Sequence, residues 1–442
     1  MIMTISQMVK AIQNGALSSR ELVSRYISNI EANKRLNAVI EINPDALVIA
    51  ENLDGAACKR GALFGVPILV KDNINTGDRM HTSAGSVALA DNIAPEDAPI
   101  IKMLRESGAV ILGKTNMTEF ANYMTNGAMP NGYSSRGGQT LSLYDPEADP
   151  SGSSTGSAVA VAADLCAAAI GTETCGSIIS PAQHAGIVGI KPTIGLVNSS
   201  GVIPISFTLD TPGPMARCVE DAALLLGVLT GREYLNKHGA GLSGIRIGIC
   251  RMAVDEADPE WLVANERLGG TMRGLGAECV ELPEHNIRIG EFIHHVMKYE
   301  FKHGINTYLQ SMNNPSIPQS LRDITVYNEN HSNIALKYGQ DNLLDAENTT
   351  GGEMSEALYA EALIARENAI HDLNKLFDDN RIDVFFMLAA NSGLGAWTGF
   401  PVMTIPIGKT SRGLPIGSFF AARRYDEDVL LRVTREIESA LL

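Results

Sequence analysis

Residues 149–181 read DPSGSSTGSAVAVAADLCAAAIGTETCGSIISP, two glycine–serine runs enclosing a stretch of small apolar residues. A flexible linker accounts for the glycines and serines. It does not account for Ala-Val-Ala-Val directly behind them, a segment that must be buried. Polar loops set against a buried segment are where a fold presents chemistry, so the stretch reads as a site.

The flanking sequence says what holds it. GVPILVK (65–71) and GAVILGK (108–114) are short runs rich in β-branched residues, and a helical pattern over 97–107 separates them. That alternation predicts an α/β sheet with helices on its faces. AAAIGT (167–172) and GIVGIKPT (186–193) add central strands, and VEDAALLLGVLTG (219–231) reads as a helix closing this part. Before it, residues 4–54 carry apolar residues at helical spacing, with Ser18 and Glu21 placed to start a helix. After a polar, glycine-bearing break at 232–243, GIRIGIC, a helical 258–275 and AECVELP form a second strand–helix–strand unit. Polar helical stretches near 288–310 and 354–379 follow. IDVFFML and GFPVMTIPIG return to strand character, and DEDVLLRVTREIESALL is a closing helix. The resulting division is a helical segment 1–60, a core 61–231, a strand–helix unit with a helical accessory region 232–382, and a return to the core sheet at 383–442.

At 442 residues, with 45% hydrophobic and 19% charged residues, the chain can bury a large core and excludes long disorder. A formal charge of −15 argues against binding nucleic acid or an anionic membrane surface. The six cysteines form no CxxC pair, so neither a zinc knuckle nor a disulfide framework is indicated. The start, MIMTISQMVKAIQNG, lacks a basic segment leading into an unbroken apolar one, and the small-apolar run near 157–170 is interrupted by Asp164. The expectation is a cytoplasmic protein without cofactor or metal, acting on a small molecule; assembly into a homo-oligomer is left open.

Three readings compete for SGSSTGS. A phosphate loop needs Lys after its second glycine, whereas Ser157 follows Gly156. A nucleophile elbow G-x-S-x-G is matched formally by Gly152–Gly156 around Ser154, but turn residues rather than a strand precede it, and His294, His303 and His371 lie in polar helical context. The third reading joins the serine runs to Lys71. Lys71 ends a strongly apolar strand, where a cation is costly unless paired, and a desolvated lysine that loses its proton is a competent base. The plain alternative is that Lys71 leaves the strand into solvent or pairs with Asp72.

Lys71 in FGVPILVKDNINT, Ser153 in SGSSTGSAVAVAA and Ser177 in AIGTETCGSIISPA, followed by GIVGIKPTIGLV, together resemble the amidase signature family. LSSRELVSRYISNIE, GKTNMTEFAN and TLDTPGPMARCVEDAALLL look like the same family. The GTET-GSI form and the SSRGGQT run at 134–140 are similar to its bacterial peptide-amidase-like members. The resemblance covers residues 5–235 and 380–440 best.

It implies a single enzyme domain built on a large central mixed β-sheet covered by helices on both faces. It also implies an amide hydrolase with a Ser–cis-Ser–Lys triad. Ser177 is then the nucleophile forming an acyl-enzyme, Ser153 the proton relay behind a cis peptide bond, and Lys71 the neutral base. Ser154 orients Lys71, and the amides of Thr174, Cys175, Gly176 and Ser177 form the oxyanion hole. His184 has no role beyond a local hydrogen bond. Two departures stand out. Ile179 occupies the place where many relatives, amidotransferase subunits among them, carry Arg, and the segment 388–399 is short for the family. An amide-forming acyltransferase using the same acyl-enzyme is the main alternative, and an ammonia-supplying subunit of a glutamine-dependent amidotransferase the weaker one.

Overall fold

The computed structural model describes residues 3–234, 241–251, 258–282, 292–388 and 392–442. Eleven strands form one sheet: β1 Val39–Ile42, β2 Pro67–Lys71, β3 Val110–Thr115, β4 Ala168–Glu173, β5 Val188–Lys191, β6 Thr211–Ala216, β7 Arg246–Cys250, β8 Glu278–Glu281, β9 Val384–Met387, β10 Val402–Thr404 and β11 Phe420–Ala422. Their order is β1-β3-β2-β4-β6-β5-β10-β11-β9-β7-β8. Pairing is parallel along β3-β2-β4 and β9-β7-β8 and antiparallel elsewhere, so the sheet is mixed.

The runs at 65–71 and 108–114 do form neighbouring parallel strands, and β2 and β3 are buried on both faces, as helices packed on a parallel sheet require. Three strands of this sheet escaped the sequence reading: β1, β6 and the three-residue β11, which lies between the run GFPVMTIPIG and the closing helix. β1 lies within the segment read as helical; only four residues long and half-buried at the sheet's end, it lacks the alternation that marks a strand. β6 contains Pro212 and Pro214, which argue against a central strand. They fit because pairing with β5 is confined to Met215 and Ala216, so no ladder bond to β5 is asked of either proline.

Helix starts follow local chemistry. Ser18 accepts from the Glu21 amide while Glu21 reaches back to the Ser18 amide, a complete capping box for Ser19–Ala32. The Ala-Val-Ala-Val run becomes the buried helix Thr155–Ala162. Its small residues answer a close approach: a Cβ on Gly156 would lie 2.3 Å from the Asn116 carbonyl oxygen and 2.4 Å from that of Ala38.

Apolar side chains gather in two clusters. One joins the N-terminal helices, strands along the length of the sheet and the C-terminal helix Glu427–Leu441. The other joins the helices Ile293–Ser311, Leu321–Asn330 and Ala357–Asn380 to the residues around Met117–Met129 and Ile203–Leu209. The expected break at 232–243 and the short segment 388–399 fall partly outside the described residues. Among the described residues no helix is long and apolar enough to cross a membrane.

Candidate functional site

Parallel pairing of β2 with β4 matches Val70 to Ile170, so the chain one step on sets Lys71 against the Gly171–Thr172 end of β4. This is the carboxyl end of both strands, the side on which open α/β sheets place their sites. Lys71 is wholly buried. Its Nζ lies 2.8 Å from Ser153 Oγ, 3.0 Å from Thr172 Oγ1 and 3.2 Å from the Thr172 carbonyl oxygen. Burial pulls its pKa down to about 7, against the opposing pull of the Asp210 and Glu173 carboxylates.

Three oxygen atoms on two residues suit a neutral amine. A neutral amine has two N–H groups to donate to the two Thr172 oxygens and a lone pair left to take the proton of the Ser153 hydroxyl, whereas the ammonium form donates to all three. Asn73 donates to Thr172 Oγ1 at 3.0 Å and fixes that oxygen. Asp72 faces elsewhere: its carboxylate accepts from the Ser83 hydroxyl and the Gly85 amide, with Arg136 at 3.4 Å. Pairing of Lys71 with Asp72, the plain alternative, is therefore not what the fold makes.

The peptide bond Gly152–Ser153 is cis. Ser153 and Ser154 are both fully buried just before helix Thr155–Ala162. Ser154 does not reach Lys71: its hydroxyl donates to the Thr172 carbonyl at 3.0 Å and accepts from the Thr172 amide at 3.2 Å. It steadies the strand residue that Lys71 leans on. Buried in this way, and with no histidine among its partners, Ser154 does not fit an elbow nucleophile. His184 hydrogen-bonds the Ser180 carbonyl at 2.9 Å, the local role expected of it.

The second serine loop is tied to the first by backbone, the Ser154 amide donating to the Ser177 carbonyl at 3.1 Å. Among the described residues the Ser177 hydroxyl makes no hydrogen bond to protein, and the residue is 6% exposed. Sites without substrate often hold such contacts open. Gly176 turns the loop at φ 81°, a left-handed conformation that favours glycine. Cys175 beside it is exposed.

Glu173, missed from the sequence, sits beneath this loop. It accepts from the Ile178 and Ile179 amides at 2.7 and 3.0 Å and draws on the Gly176 amide as well. Burial raises its pKa, opposed by Lys191 and by those amides. Thr172 and Asp210 were missed too. Thr172 stands inside the quoted motif, but Asp210 is separated from its contact with Thr174 by 36 residues and left no local signal.

A lysine–serine pair where parallel strands of an open mixed sheet end is the layout of an enzyme rather than of a binding module. Comparison with known proteins gives the same class. The family model described as Amidase matches residues 21–393. An amidase of Arabidopsis thaliana is 35% identical, over 99% of this chain and 90% of its own length. The native peptide amidase of Stenotrophomonas maltophilia superposes with a TM-score of 0.89 at 34% identity, covering 99% of this chain and 96% of that one. One subunit of the glutamyl-tRNA(Gln) amidotransferase of Syntrophus aciditrophicus is 31% identical, over 99% of this chain and 96% of its own. The chain belongs to the amidase family, and it is an enzyme that hydrolyses amide carbon–nitrogen bonds.

Proposed function

We propose that Ser177 is the nucleophile, Ser153 the proton relay and Lys71 the base of an amide hydrolase acting on small amides or peptide amides. The observation that carries this is the 2.8 Å contact between a fully buried Lys71 and Ser153. A lysine whose pKa is brought to about 7 has its neutral form available near neutral pH. Ser177 Oγ attacks the amide carbonyl carbon, its proton passing to Ser153 Oγ as the Ser153 proton moves to Lys71 Nζ. The oxyanion is held by the amides of Thr174, Cys175, Gly176 and Ser177, that of Gly176 shared with Glu173. Removing one such donor typically costs about 3–4 kcal/mol of transition-state stabilisation.

The tetrahedral intermediate collapses with cleavage of the C–N bond, and the leaving amine takes the proton back from Lys71 through Ser153. Water then attacks acyl-Ser177 with the same proton path and releases the acid. The peptide-amide substrate class is supported by the likeness to the peptide amidase. Against an ammonia-supplying role stands Ile179, which is 1% exposed and has no charge to offer beside the nucleophile.

The segment 61–231 carries the triad in this reading, and 232–382 braces it; 1–60 and 383–442 complete the sheet and its cover. A reducing cytoplasmic setting accords with six cysteines of which none is joined in a disulfide.

The test is labelling with a fluorophosphonate and mapping of the adduct by mass spectrometry, with Ser177→Ala and Lys71→Ala in parallel. An adduct on Ser177 that is lost in both variants is the expected result. An adduct on Ser154, or one indifferent to Lys71, overturns the assignment.

A further inference from the structure

We infer that Asp210 is a positioning residue for the reaction: it holds the nucleophile loop through Thr174, and Glu300 of the accessory helices clamps the turn that carries it. The inference rests on Ser177 being the nucleophile.

Asp210 Oδ1 accepts from the Thr174 hydroxyl at 2.5 Å. Its Oδ2 accepts from the amides of Ile205 and Ser206 at 2.8 and 3.0 Å. Thr174 stands three residues before Ser177 and supplies one of the proposed oxyanion donors. Asp210 therefore locks the start of that loop to the 205–210 turn, which is itself closed by the Asp210 amide on the Ser206 carbonyl at 2.8 Å.

The same turn is gripped from the other side. Glu300, fully buried in helix Ile293–Ser311, accepts from the Ser206 hydroxyl at 2.5 Å and from the Thr208 amide at 3.0 Å. It also accepts from the Thr208 hydroxyl at 2.5 Å and from Tyr359 of helix Ala357–Asn380 at 2.7 Å. Two carboxylates satisfied mainly by neutral donors are a costly way to pack a turn. They fix direction at a loop where a small displacement of a donor costs rate.

Charge gives the arrangement a second effect. Asp210 and Glu173 are the carboxylates that favour the protonated form of Lys71. Glu300 faces Asp210, Lys191 faces Glu173, and Arg366 faces Glu300. Removing the Asp210 charge therefore lowers the proton affinity of Lys71.

The experiment measures kinact and KI for a fluorophosphonate from pH 5 to 10 on the full chain, for wild type, Asp210→Asn and Thr174→Val. For Asp210→Asn the expectation is a kinact at least tenfold lower, KI within threefold of wild type, and an acid limb moved to lower pH. Thr174→Val removes only the hydroxyl and is expected to lower kinact at least threefold with the limb in place. The inference is overturned if Asp210→Asn keeps kinact within twofold of wild type, if its loss is confined to KI, or if its acid limb stays put. Should Asp210→Asn fail to fold, an unchanged kinact in Thr174→Val overturns it alone. Failure of the underlying reading shows differently, as a wild-type adduct on a residue other than Ser177.

Discussion

Lys71 unites a functional need with a structural cost. Wholly buried, it prefers to be neutral, and the neutral amine is the form that can take a proton from Ser153. Activity at limiting substrate is therefore expected to rise with pH and level off above about 7, where Lys71 has lost its proton. A pH profile of kcat/KM checks this. Stability follows the same titration. In the unfolded chain a lysine holds its proton to about 10.4, whereas folded Lys71 releases it near 7. Between those values the unfolded state binds more protons, so this group's penalty is full below pH 7 and fades as pH rises toward 10. Lys71→Met is accordingly expected to abolish turnover yet to stabilise the fold by on the order of 1–4 kcal/mol at pH 6. Thermal melts at pH 6 and 9.5 measure it; a lower melting temperature than wild type at pH 6, or a gain no larger at pH 6 than at pH 9.5, contradicts the argument. Lys114 and Lys191, brought to about 8 by burial, add to the same slope.

At the scale of elements, the site depends on how closely a helix can approach the sheet. Helix Thr155–Ala162 begins directly after Ser153 and Ser154, so its depth sets theirs. Gly156→Ala would force a methyl against two carbonyl oxygens, and moving the helix away would carry Ser153 with it. The expected cost is about 1–3 kcal/mol of stability together with a fall in kcat, read by chemical denaturation and turnover. A variant as stable and as active as wild type would mean the helix has room to spare. The burial of this segment was legible in the sequence as composition, since small apolar residues directly behind a serine loop must be buried; that it forms a helix was not read there. The strands β2 and β3 were legible for a related reason, because burial on both faces leaves an unbroken apolar run. β1 was not, because a short strand at the sheet's end needs little alternation, and β6 was not, because its prolines are excused only by where its neighbour stops. Within the candidate site, Lys71, Ser153 and Ser177 stood out through motif context. Ser154 was expected to orient Lys71 itself and instead supports Thr172, a distinction between neighbouring hydroxyls that spacing cannot make. Asp210 and Glu300 meet the site through contacts 36 and 94 residues apart in the chain, so nothing local points to them.

At the scale of the molecule, the loop that carries the proposed nucleophile Ser177 lies on a seam. Ile178 belongs to the apolar cluster of the sheet core, while its neighbour Ile179 belongs to the cluster built by the accessory helices. The residues just after Ser177 are thus gripped by both halves, and Glu173 pins the amides of the same two isoleucines. An apolar residue at 179 has a structural reason here: 1% exposed, it lies within the apolar cluster that also holds the accessory helices, where a charge would be costly. Ile179→Ala opens a cavity on that seam and is expected to cost about 2–4 kcal/mol. Ile179→Val, which keeps most of the volume, is expected to cost about 0.5–1.5 kcal/mol. If the seam also aligns the loop, kcat falls in Ile179→Ala by more than in a control of equal stability loss placed in the N-terminal helices, such as Ile12→Ala, with KM little changed in both. Denaturation and steady-state kinetics on the two variants separate the cases. Equal kcat in both would show that the packing around Ile179 stabilises the enzyme without steering the Ser177 loop.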